Sequence, residues 1–430
     1  MARFQTIKGM RDFLPKDAEK LRYVRNTAME IARLYSFEEI ITPVVEHYDL
    51  LTAKSGEEIK ARMYSFEDLG GRKVALRPEF TASIARLMAT SLRNEPKPLK
   101  LYSSGTLYRY DEPQFGRYRE FWQSNFEIIG SNKPEADAEI IILTDHFMKK
   151  LGLSKYLFKI GHVGIMRGLL SQEGADDEQQ NRIMQLLDAK RWKEALATSR
   201  DFGVSEKSID VMKHILETKG EDPSKVLPRV EDQLRGCAGS LAATENLQEI
   251  LGLCRKGGAD FEVLVEAGFA RGLEYYTGMI FEILVPEMNI SIGGGGRYDK
   301  LVELFGGEPT PSVGVAHGLD RTALAMENQK AAPRIMKKTV SVIPVNEDAV
   351  PKALETALRL RKSGIAADVE VMRRTVSRAL QDADRRKSAY ALILGPKEIK
   401  EGKLTLRDLK EHKQYLISLD EAVRKLLQKK

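Results

Sequence analysis

Charged and polar side chains concentrated between residues 107 and 127 have the composition of a site for a nucleotide phosphate. Arginine contacts phosphate through a planar, bidentate fork, so an arginine on a strand holds it more rigidly than a lysine in a flexible loop. An aromatic ring and two side chains that could select a small polar substrate lie nearby. The candidate ligand-binding residues are Arg109, Arg117, Arg119, Phe121, Gln123 and Glu127. The alternative interpretation is a surface hairpin with scattered charge.

Alternation along the second strand of this segment favours a ligand site. Successive strand residues point to opposite faces, so Phe121, Gln123, Asn125 and Glu127 share one face, and the opposite face is largely apolar. A polar face that carries an aromatic ring suits the floor of a ligand cleft. The loop at residues 111–116 is longer than a tight turn requires, and it is therefore a candidate contact surface.

Glu79 and Thr81 form a second candidate cluster, at a predicted turn from strand to helix. Both side chains could point into a cleft and hold an ammonium group. Alternatively, they only begin and cap the following helix, a common position for acidic and hydroxyl side chains. The residue types alone leave both interpretations open.

Two glycine-containing segments near the end of the first region add further candidates. Arg271 precedes the adjacent tyrosines Tyr275 and Tyr276, whose hydroxyls can hydrogen-bond a ring nitrogen; the alternative is a surface turn with aromatic packing. The run Gly293–Gly296 permits close approach of a ligand, but it lacks the Lys-Ser/Thr of a Walker loop and the βαβ context of a dinucleotide fold. Those two phosphate-binding plans are rejected, whereas Arg321, near the start of an apolar helix, could reach a nucleotide tail.

The surrounding pattern predicts an α+β domain with a mainly antiparallel sheet. Strands are predicted at 62–76, 99–109 and 119–129, with a helix over 17–35 and another at about 81–91. The extended run at residues 37–45 contains Pro43, which removes a ladder donor and places that strand at an edge. Residues from about 165 to 256 are rich in helix formers and predict a helical insertion, before strand character returns at 261–265, 279–284 and 289–292.

The last hundred or so residues of the chain have a different sequence pattern. Residues 327–338 have linker composition, which assigns residues 1–326 to the first domain and residues 339–430 to a second one. Strand and helix patterns alternate in the second domain and predict a small α/β fold with an at least partly parallel sheet. This domain carries 20 Lys or Arg against 13 Asp or Glu, so it could meet a polyanion, although a solvated basic surface explains the charge almost as well.

Composition excludes several classes of protein. With 430 residues and 42% hydrophobic content, the chain can form two or three cores. Only Cys237 and Cys254 occur, without a CxxC pair or a histidine cluster, so neither a disulfide framework nor a zinc site is expected. No run approaches the roughly 20 apolar residues of a membrane span, and the first residues have no apolar signal core. We therefore expect a cytoplasmic protein with no membrane partner.

Five segments, taken in order, resemble class II aminoacyl-tRNA synthetases, and within them the histidine-specific branch. Thr42-Pro43 resembles the first class II motif, a dimer-interface strand; residues 107–127 resemble the second and residues 314–321 the third. Residues 271–276 and 293–299 are similar to the segments that mark the histidine-specific branch. The motifs are degenerate singly but specific in this order, and the resemblance covers almost the whole chain. It implies a homodimer with a catalytic antiparallel sheet, a helical insertion and a C-terminal α/β anticodon-binding domain.

The resemblance also implies a reaction: L-histidine and ATP form histidyl-adenylate and pyrophosphate, and histidine then passes to the 3′ end of tRNA(His). Arg109 would hold the ATP α-phosphate, Arg271 would meet it from the amino-acid side, Phe121 would stack on adenine and Arg321 would bind the outer phosphates. Mg²⁺ is expected with ATP, with no protein ligand set readable from the sequence. The amino acid would be bound through its ammonium group by Glu79, Thr81 and Gln123, through its ring by Glu127 and Tyr276, with Tyr275 lining the pocket.

On the tRNA side, the resemblance places Gln114, Arg117 and Arg119 near the acceptor end and assigns the basic second domain to the anticodon. Glu274 departs from the family's usual Asp, and Phe80 stands where bacterial members commonly have a small residue, so the roles of these two positions are open. The principal rival is a catalytically silent relative that senses histidine for the first enzyme of histidine biosynthesis. Such relatives lack the anticodon domain and commonly the arginine at position 271, and this chain has both.

Overall fold

The structure of the protein, a computed structural model, describes residues 4–53, 60–271, 275–331 and 339–428. The chain divides into two units, Met1–Ala332 and Pro333–Lys430. Numbered in chain order, the strands of the first unit are β1 Glu38–Glu39, β2 Val45–His47, β3 Ser65–Glu67, β4 Lys73–Leu76, β5 Leu99–Tyr108, β6 Glu120–Ile129, β7 Leu157–His162, β8 Lys219–Gly220, β9 Glu262–Glu266, β10 Met279–Val285, β11 Ile290–Arg297 and β12 Ser312–Gly318.

The α-helices of this unit pack against its sheets. They are α1 Pro15–Leu34, α2 Tyr48–Thr52, α3 Thr81–Ala89, α4 Pro134–Lys150, α5 Val163–Gln172, α6 Asp177–Asp188, α7 Trp192–Asp201, α8 Glu206–Glu217, α9 Pro223–Gln233, α10 Ala238–Lys256, α11 Leu301–Leu304 and α12 Leu319–Asn328. Helix α1 begins with Pro15, whose missing N–H costs nothing at a first helical position, and it buries Leu21, Val24 and Ile31. None of the described helices combines the length and the hydrophobicity needed to cross a membrane.

A nine-stranded sheet in the order β1-β5-β6-β12-β11-β10-β7-β9-β8 positions the candidate site. Its neighbours are antiparallel except for the pairs β1–β5 and β7–β9, so the expected α+β plan with a mainly antiparallel sheet is confirmed. The long hairpin β5–β6 places Leu107 opposite Phe121 and Gly105 opposite Gln123. The next strand, β12, places Gly314 opposite Glu127. The polar face predicted for residues 121–127 therefore belongs to the middle of the sheet.

Two predicted strands differ from the structure. The run at residues 37–45 is not one strand, because β1 lies at the edge of the large sheet and β2 belongs to a separate sheet of order β2-β4-β3. Pro43 lies between them, where the chain needs no ladder donor. The stretch predicted at 62–76 is likewise two short strands, β3 and β4, which pair as an antiparallel hairpin.

The helical insertion is confirmed. Helices α5 to α10 occupy residues 163–256, and the two-residue strand β8, which pairs with β9, interrupts them. Helix α10 packs against α4 and α5, so the insertion shares the apolar core of the sheet. Helix α12 extends to Asn328, into the stretch predicted as a linker, and residues 332–338 of that stretch lie outside the described residues.

The second unit has its own sheet and its own apolar core. Its strands are β13 Val340–Pro344, β14 Ala367–Val369, β15 Tyr390–Leu394, β16 Leu404–Asp408 and β17 Gln414–Ile417, and its α-helices are α13 Val350–Lys362, α14 Val376–Arg385, α15 Pro396–Lys400 and α16 Leu419–Gln428. In the order β14-β13-β15-β16-β17, the first three strands are parallel and the others antiparallel. The partly parallel α/β sheet is confirmed, whereas β16 and β17 were not predicted.

Candidate active site

A cavity of about 450 Å³ in the first unit collects candidate residues from distant parts of the sequence. Strands β6, β11 and β12 contribute to its lining, together with the turn before α3 and the first turn of α12. The sequence-predicted residues that line it are Glu79, Thr81, Arg109, Arg117, Phe121, Gln123, Glu127, Arg271, Tyr275, Tyr276 and Arg321. Gln114 and Arg119 do not line it, and Glu274 lies outside the described residues.

Glu127 is the most enclosed acidic group of the cavity, with 1% of its surface exposed. Its Oε2 accepts a hydrogen bond of 2.5 Å from the Tyr298 hydroxyl. Its Oε1 accepts from Thr81 Oγ1 at 3.2 Å and from Asn125 Nδ2 at 3.3 Å. The added Cβ of an alanine at position 314 would overlap Oε2, so Gly314 leaves the space that the carboxylate occupies.

The charge state of Glu127 is finely balanced. The pKa of Glu127 is raised to about 7, mainly by burial and in smaller part by the neighbouring charge of Glu79. Hydrogen bonds from Tyr298, Asn125 and Thr81 act in the opposite direction, because they stabilise the carboxylate. A group with this pKa can change its charge within the physiological range, which is frequent at functional sites.

Glu79 takes part in the start of helix α3. Its Oε2 accepts from the backbone N–H of Thr81 at 2.5 Å, and its Oε1 accepts from that of Ala82 at 2.8 Å. The capping interpretation is therefore present in the structure, yet Glu79 also lines the cavity. An ionised carboxylate has about four acceptor positions, so two backbone contacts leave room for a ligand N–H. Burial raises the pKa of Glu79, and the backbone hydrogen bonds and Arg109 offset part of that shift.

Arg109 and Phe121 are neighbours at the loop end of the β5–β6 hairpin. The Arg109 guanidinium carbon lies 5.3 Å from the centre of the Phe121 ring, and Nε donates to the carbonyl of Pro78 at 2.8 Å. These two contacts orient the arginine, and guanidinium N–H groups that bond no other described residue can meet an anion. The arginine predicted to hold a phosphate thus lies at the wall of the cavity with a defined direction, one residue beyond the end of β5 rather than on the strand.

Arg271 lies against strands β10 and β11. Its Nη1 donates to the carbonyl of Phe281 at 3.0 Å, and Nη2 lies 3.6 Å from Oε1 of Glu282. A Cβ at Gly294 would overlap the Arg271 guanidinium, so the glycine run of β11 gives this side chain its path across the strand. The sequence suggested only that the glycines permit close approach of a ligand; the structure shows that they also accommodate protein side chains.

Arg321 links three parts of the site. Its Nε donates to the carbonyl of Gly116 at 2.7 Å, and its Nη1 donates to that of Ser291 at 2.8 Å. Burial lowers the pKa of Arg321, and the positive charges of Arg117 and Arg109 lower it further. Arginine remains protonated, so the positive charges of Arg109, Arg117 and Arg321 repel one another. A polyanion bound between them would relieve that repulsion.

The remaining cavity residues are polar groups and aromatic rings. Gln123 has a buried Oε1 that accepts no hydrogen bond from the described residues, so it is available to a ligand donor. The rings of Tyr275 and Tyr276 lie 5.0 Å apart, and Tyr275 also packs edge-on against Tyr298 at 5.7 Å. Burial raises the pKa of Tyr276, so its hydroxyl stays protonated and can donate to a ligand.

The loop at residues 111–119 contains the three residues that were predicted to contact tRNA, and they differ in exposure and in contacts. Gln114 is exposed, and its backbone pairs with that of Arg117. Arg117 is half-buried and donates to Asp111 at 2.6 Å. Arg119 is only 5% exposed; it donates to the carbonyl of Asp111 and covers the ring of Tyr110 at 3.6 Å. These contacts favour a role for Arg119 in shaping the loop rather than in touching RNA.

Sequence reasoning missed several residues of the site. Tyr298 appeared only as part of a glycine-rich segment, and it lies one residue beyond the end of β11. Asp320 accepts from the backbone N–H of Trp122 at 2.6 Å and pairs with Arg11. This contact joins the start of α12 to β6, which no local sequence pattern could have indicated.

The sheet and its arginine-lined cavity together define the class II aminoacyl-tRNA synthetase fold. The family model described as histidyl-tRNA synthetase matches residues 9–322, and the model described as anticodon binding domain matches residues 339–429. The chain belongs to the histidyl-tRNA synthetase family.

Individual relatives agree with this assignment. A histidine–tRNA ligase of Thermococcus kodakarensis is 38% identical over 435 residues, covering 99% of each chain. The structure of apo S. aureus histidyl-tRNA synthetase matches with a TM-score of 0.74 at 26% identity, over 98% of this chain and 99% of the other. That of histidyl-tRNA synthetase from Nostoc sp. PCC 7120 has a TM-score of 0.82 at 21% identity over the whole of both chains, a likeness of fold.

Proposed function

We propose that the protein is a histidine–tRNA ligase that activates L-histidine with ATP and then transfers it to the 3′ end of tRNA(His). The observation that carries the proposal is the buried Glu127 carboxylate in a cavity that also contains Arg109, Arg271 and Arg321. An acidic group at the closed end suits an imidazole N–H donor, and the arginines suit a phosphate chain. Membership of the histidyl-tRNA synthetase family supports the same reaction.

The amino acid is held at both of its polar ends. Glu79 and Gln123 offer acceptors to the α-ammonium group, and Thr81 lies beside them. Glu127 and Tyr276 contact the two ring nitrogens, and Tyr275 lines the pocket. A pocket built for two ring nitrogens leaves buried polar groups unpaired with any other side chain, a penalty that can give discrimination of about 10⁴.

The chemistry of the first step rests on charge. Arg109 holds the α-phosphate, Arg321 holds the outer phosphates and Phe121 stacks on adenine. Arg271 orients the carboxylate, whose oxygen bonds to the α-phosphorus while the bond to the pyrophosphate oxygen breaks. Arginine donors directed at the α-phosphate stabilise the charge that develops there. The mutual repulsion among Arg109, Arg117 and Arg321 supports this assignment, because ATP brings the opposite charge.

We further propose that Mg²⁺ enters with ATP. Within the part of the chain that the structure describes, no three His, Cys, Asp or Glu side chains form a cluster that could hold a metal. The ion would be bound mainly by phosphate oxygens, where it neutralises the charge of the pyrophosphate that leaves. The arginines remain responsible for orienting the nucleotide.

The tRNA is proposed to meet both units. Residues 339–430 read the unstacked anticodon bases, a role supported by their net positive charge and by the anticodon-domain match. At the other end, Gln114 and Arg117 reach the acceptor end, and Arg119 supports their loop. In the second step a hydroxyl of the terminal ribose forms an ester with histidine, the bond between histidine and the adenylate phosphate breaks, and AMP leaves.

A homodimer in the cytoplasm completes the proposal. Next to Thr42-Pro43, Ile41 is 89% exposed, Val44 39% and Val45 44%. Neighbouring exposed apolar side chains suit a surface that a second copy of the chain covers. Sedimentation of the purified chain should give twice the monomer mass.

Pyrophosphate exchange tests the function. The purified chain should exchange pyrophosphate into ATP only when L-histidine is present. Absence of exchange, or equal exchange with other amino acids, would refute the proposal. The silent histidine-sensing relative is disfavoured because this chain retains Arg271 and the anticodon-domain match at residues 339–429.

A further inference from the structure

Tyr298 makes a contact that the roles proposed above do not use. Its side chain is 4% exposed, just beyond the end of β11, and its ring packs in the apolar cluster that contains Phe80, Leu107 and Ile129. Its backbone N–H donates to the carbonyl of Ser312 at 2.7 Å. The ring and the backbone of Tyr298 are therefore fixed by contacts that do not involve a ligand.

The Tyr298 hydroxyl has one direction of hydrogen bonding. Burial and the nearby Glu127 charge raise the pKa of Tyr298 well above its usual value, so the hydroxyl keeps its proton. It donates that proton to Oε2 of Glu127 at 2.5 Å. Because an ionised carboxylate only accepts, this contact is satisfied when Glu127 is charged.

Both oxygens of Glu127 are then held. Oε1 accepts hydrogen bonds from the Thr81 hydroxyl and the Asn125 amide, and Oε2 accepts one from the Tyr298 hydroxyl. Gly314 of the neighbouring strand, which has no side chain, packs against Oε2. Thr81 and Asn125 are neutral, whereas the titratable groups that interact with Glu127 are Glu79, Tyr275, Tyr276 and Tyr298. Glu79 and burial oppose the charge on Glu127, and the donors sustain it.

We infer that Tyr298 is a positioning residue for amino-acid selection: it fixes the Glu127 carboxylate in its charged form, in the orientation that receives the histidine ring. The inference rests on the proposed function, because it specifies how that pocket chooses an imidazole. Tyr298 need not touch the substrate. It acts through Glu127, and its loss should weaken histidine binding most where Glu127 would otherwise take up a proton.

Tyr298→Phe in the full-length chain tests this inference. The variant removes one donor from Glu127, which raises the pKa of Glu127 and moves the lower pH limit of histidine binding upwards. The KM for histidine in pyrophosphate exchange, measured from about pH 6 to about pH 9, should show that limit displaced by about one unit, with a KM about fivefold higher at pH 7 and close to tenfold higher at pH 6. The titration of free histidine is common to all variants, and the KM for ATP should not change.

Tyr108→Phe is the matched control. Tyr108 also donates its hydroxyl to a glutamate, Glu120, at 3.0 Å, but it is half-buried and does not line the cavity. Its KM values and pH profile should equal those of the unchanged chain. If Tyr298→Phe also behaves like the unchanged chain, or raises the KM for histidine equally at every pH, the inference is overturned.

A double-mutant cycle with Glu127→Gln separates positioning from direct contact. Once Glu127 carries no charge, adding Tyr298→Phe should change the KM for histidine by less than about twofold. Independent, multiplied effects of the two changes would mean that Tyr298 contacts the substrate itself, against the inference. The cycle also covers a folding defect: if Tyr298→Phe unfolds because a buried charge has lost its donor, the double variant should fold, and an unfolded double variant refutes the inference.

The unchanged chain distinguishes failure of the proposed function from failure of the role of Tyr298. If it shows no histidine-dependent exchange, the proposed function fails. If it does exchange and Tyr298→Phe matches it throughout the pH range, only the role of Tyr298 fails.

Discussion

Replacing Arg271 by alanine should separate catalysis from stability. Among the described residues, the side chain donates a hydrogen bond from Nη1 to the Phe281 carbonyl at 3.0 Å and forms a long ion pair with Glu282 at 3.6 Å. Both ion-pair partners retain more than a fifth of their side-chain exposure, 22% and 24%, so water can replace much of the pair. The main structural loss is the contact with the Phe281 carbonyl, which costs about 1–2 kcal/mol of the free energy of unfolding.

The expected loss of activity is larger. Removal of a charged donor that acts on developing charge typically lowers the rate by about 10²–10³, equivalent to about 3–4 kcal/mol of transition-state stabilisation. Histidine-dependent pyrophosphate exchange should therefore fall by at least about a hundredfold, while the unfolding midpoint falls by only a few degrees. Arg271→Lys should recover part of the rate, because it restores the charge without the fork.

Arg200→Ala is a suitable control, because it also removes an arginine paired with a glutamate, at 2.6 Å on the exposed surface of the insertion. It should leave exchange unchanged. The catalytic assignment of Arg271 would be wrong if Arg271→Ala retained an exchange rate close to that of the control. It would also be wrong if sedimentation showed that the variant had lost the dimer, since Arg271 would then be structural.

Three further changes test other parts of the structure. Deleting residues 339–430 should reduce charging of tRNA far more than pyrophosphate exchange, because the residues that line the candidate cavity all belong to the first unit; equal losses would contradict separate roles. Phe121→Ala should raise the KM for ATP by about tenfold and leave that for histidine nearly unchanged, since stacking on a base contributes about 1–3 kcal/mol. Burial lowers the pKa of His317 to about 3, below the value of about 6.5 in the unfolded chain. The contribution of neutral His317 to the free energy of unfolding is therefore complete above about pH 6.5, and it is lost as the pH falls towards the pKa of the folded state. Urea unfolding should show about 2 kcal/mol less stability at pH 5 than at pH 7, and His317→Asn should reduce this dependence; an unchanged dependence would mean that other groups cause it.

The fold was predictable where one strand or helix carries its own pattern. The alternation at residues 121–127 placed Gln123 and Glu127 on one face, and the structure places both in the cavity. Tyr298 escaped prediction because its partner Glu127 lies 171 residues away in the sequence. For Arg119, the residue type alone was misleading. An arginine in this loop suggests contact with RNA, and only the packing against Tyr110 and Asp111 reveals that the side chain is buried.

The glycine run of β11 has a consequence for efforts to redesign the amino-acid specificity. Arg271 crosses this strand beside Gly294, and Glu127 fills the space beside Gly314 on the next strand. These positions are already at the smallest possible size, so a mutational library cannot enlarge the pocket there; every substitution fills it. Variants that accept a bulkier amino acid must arise elsewhere, from trimming Tyr275 or Tyr276 or from changing the partners of Glu127. Because these glycines cannot become smaller, a change of amino-acid specificity is expected to require substitutions in the aromatic wall of the pocket.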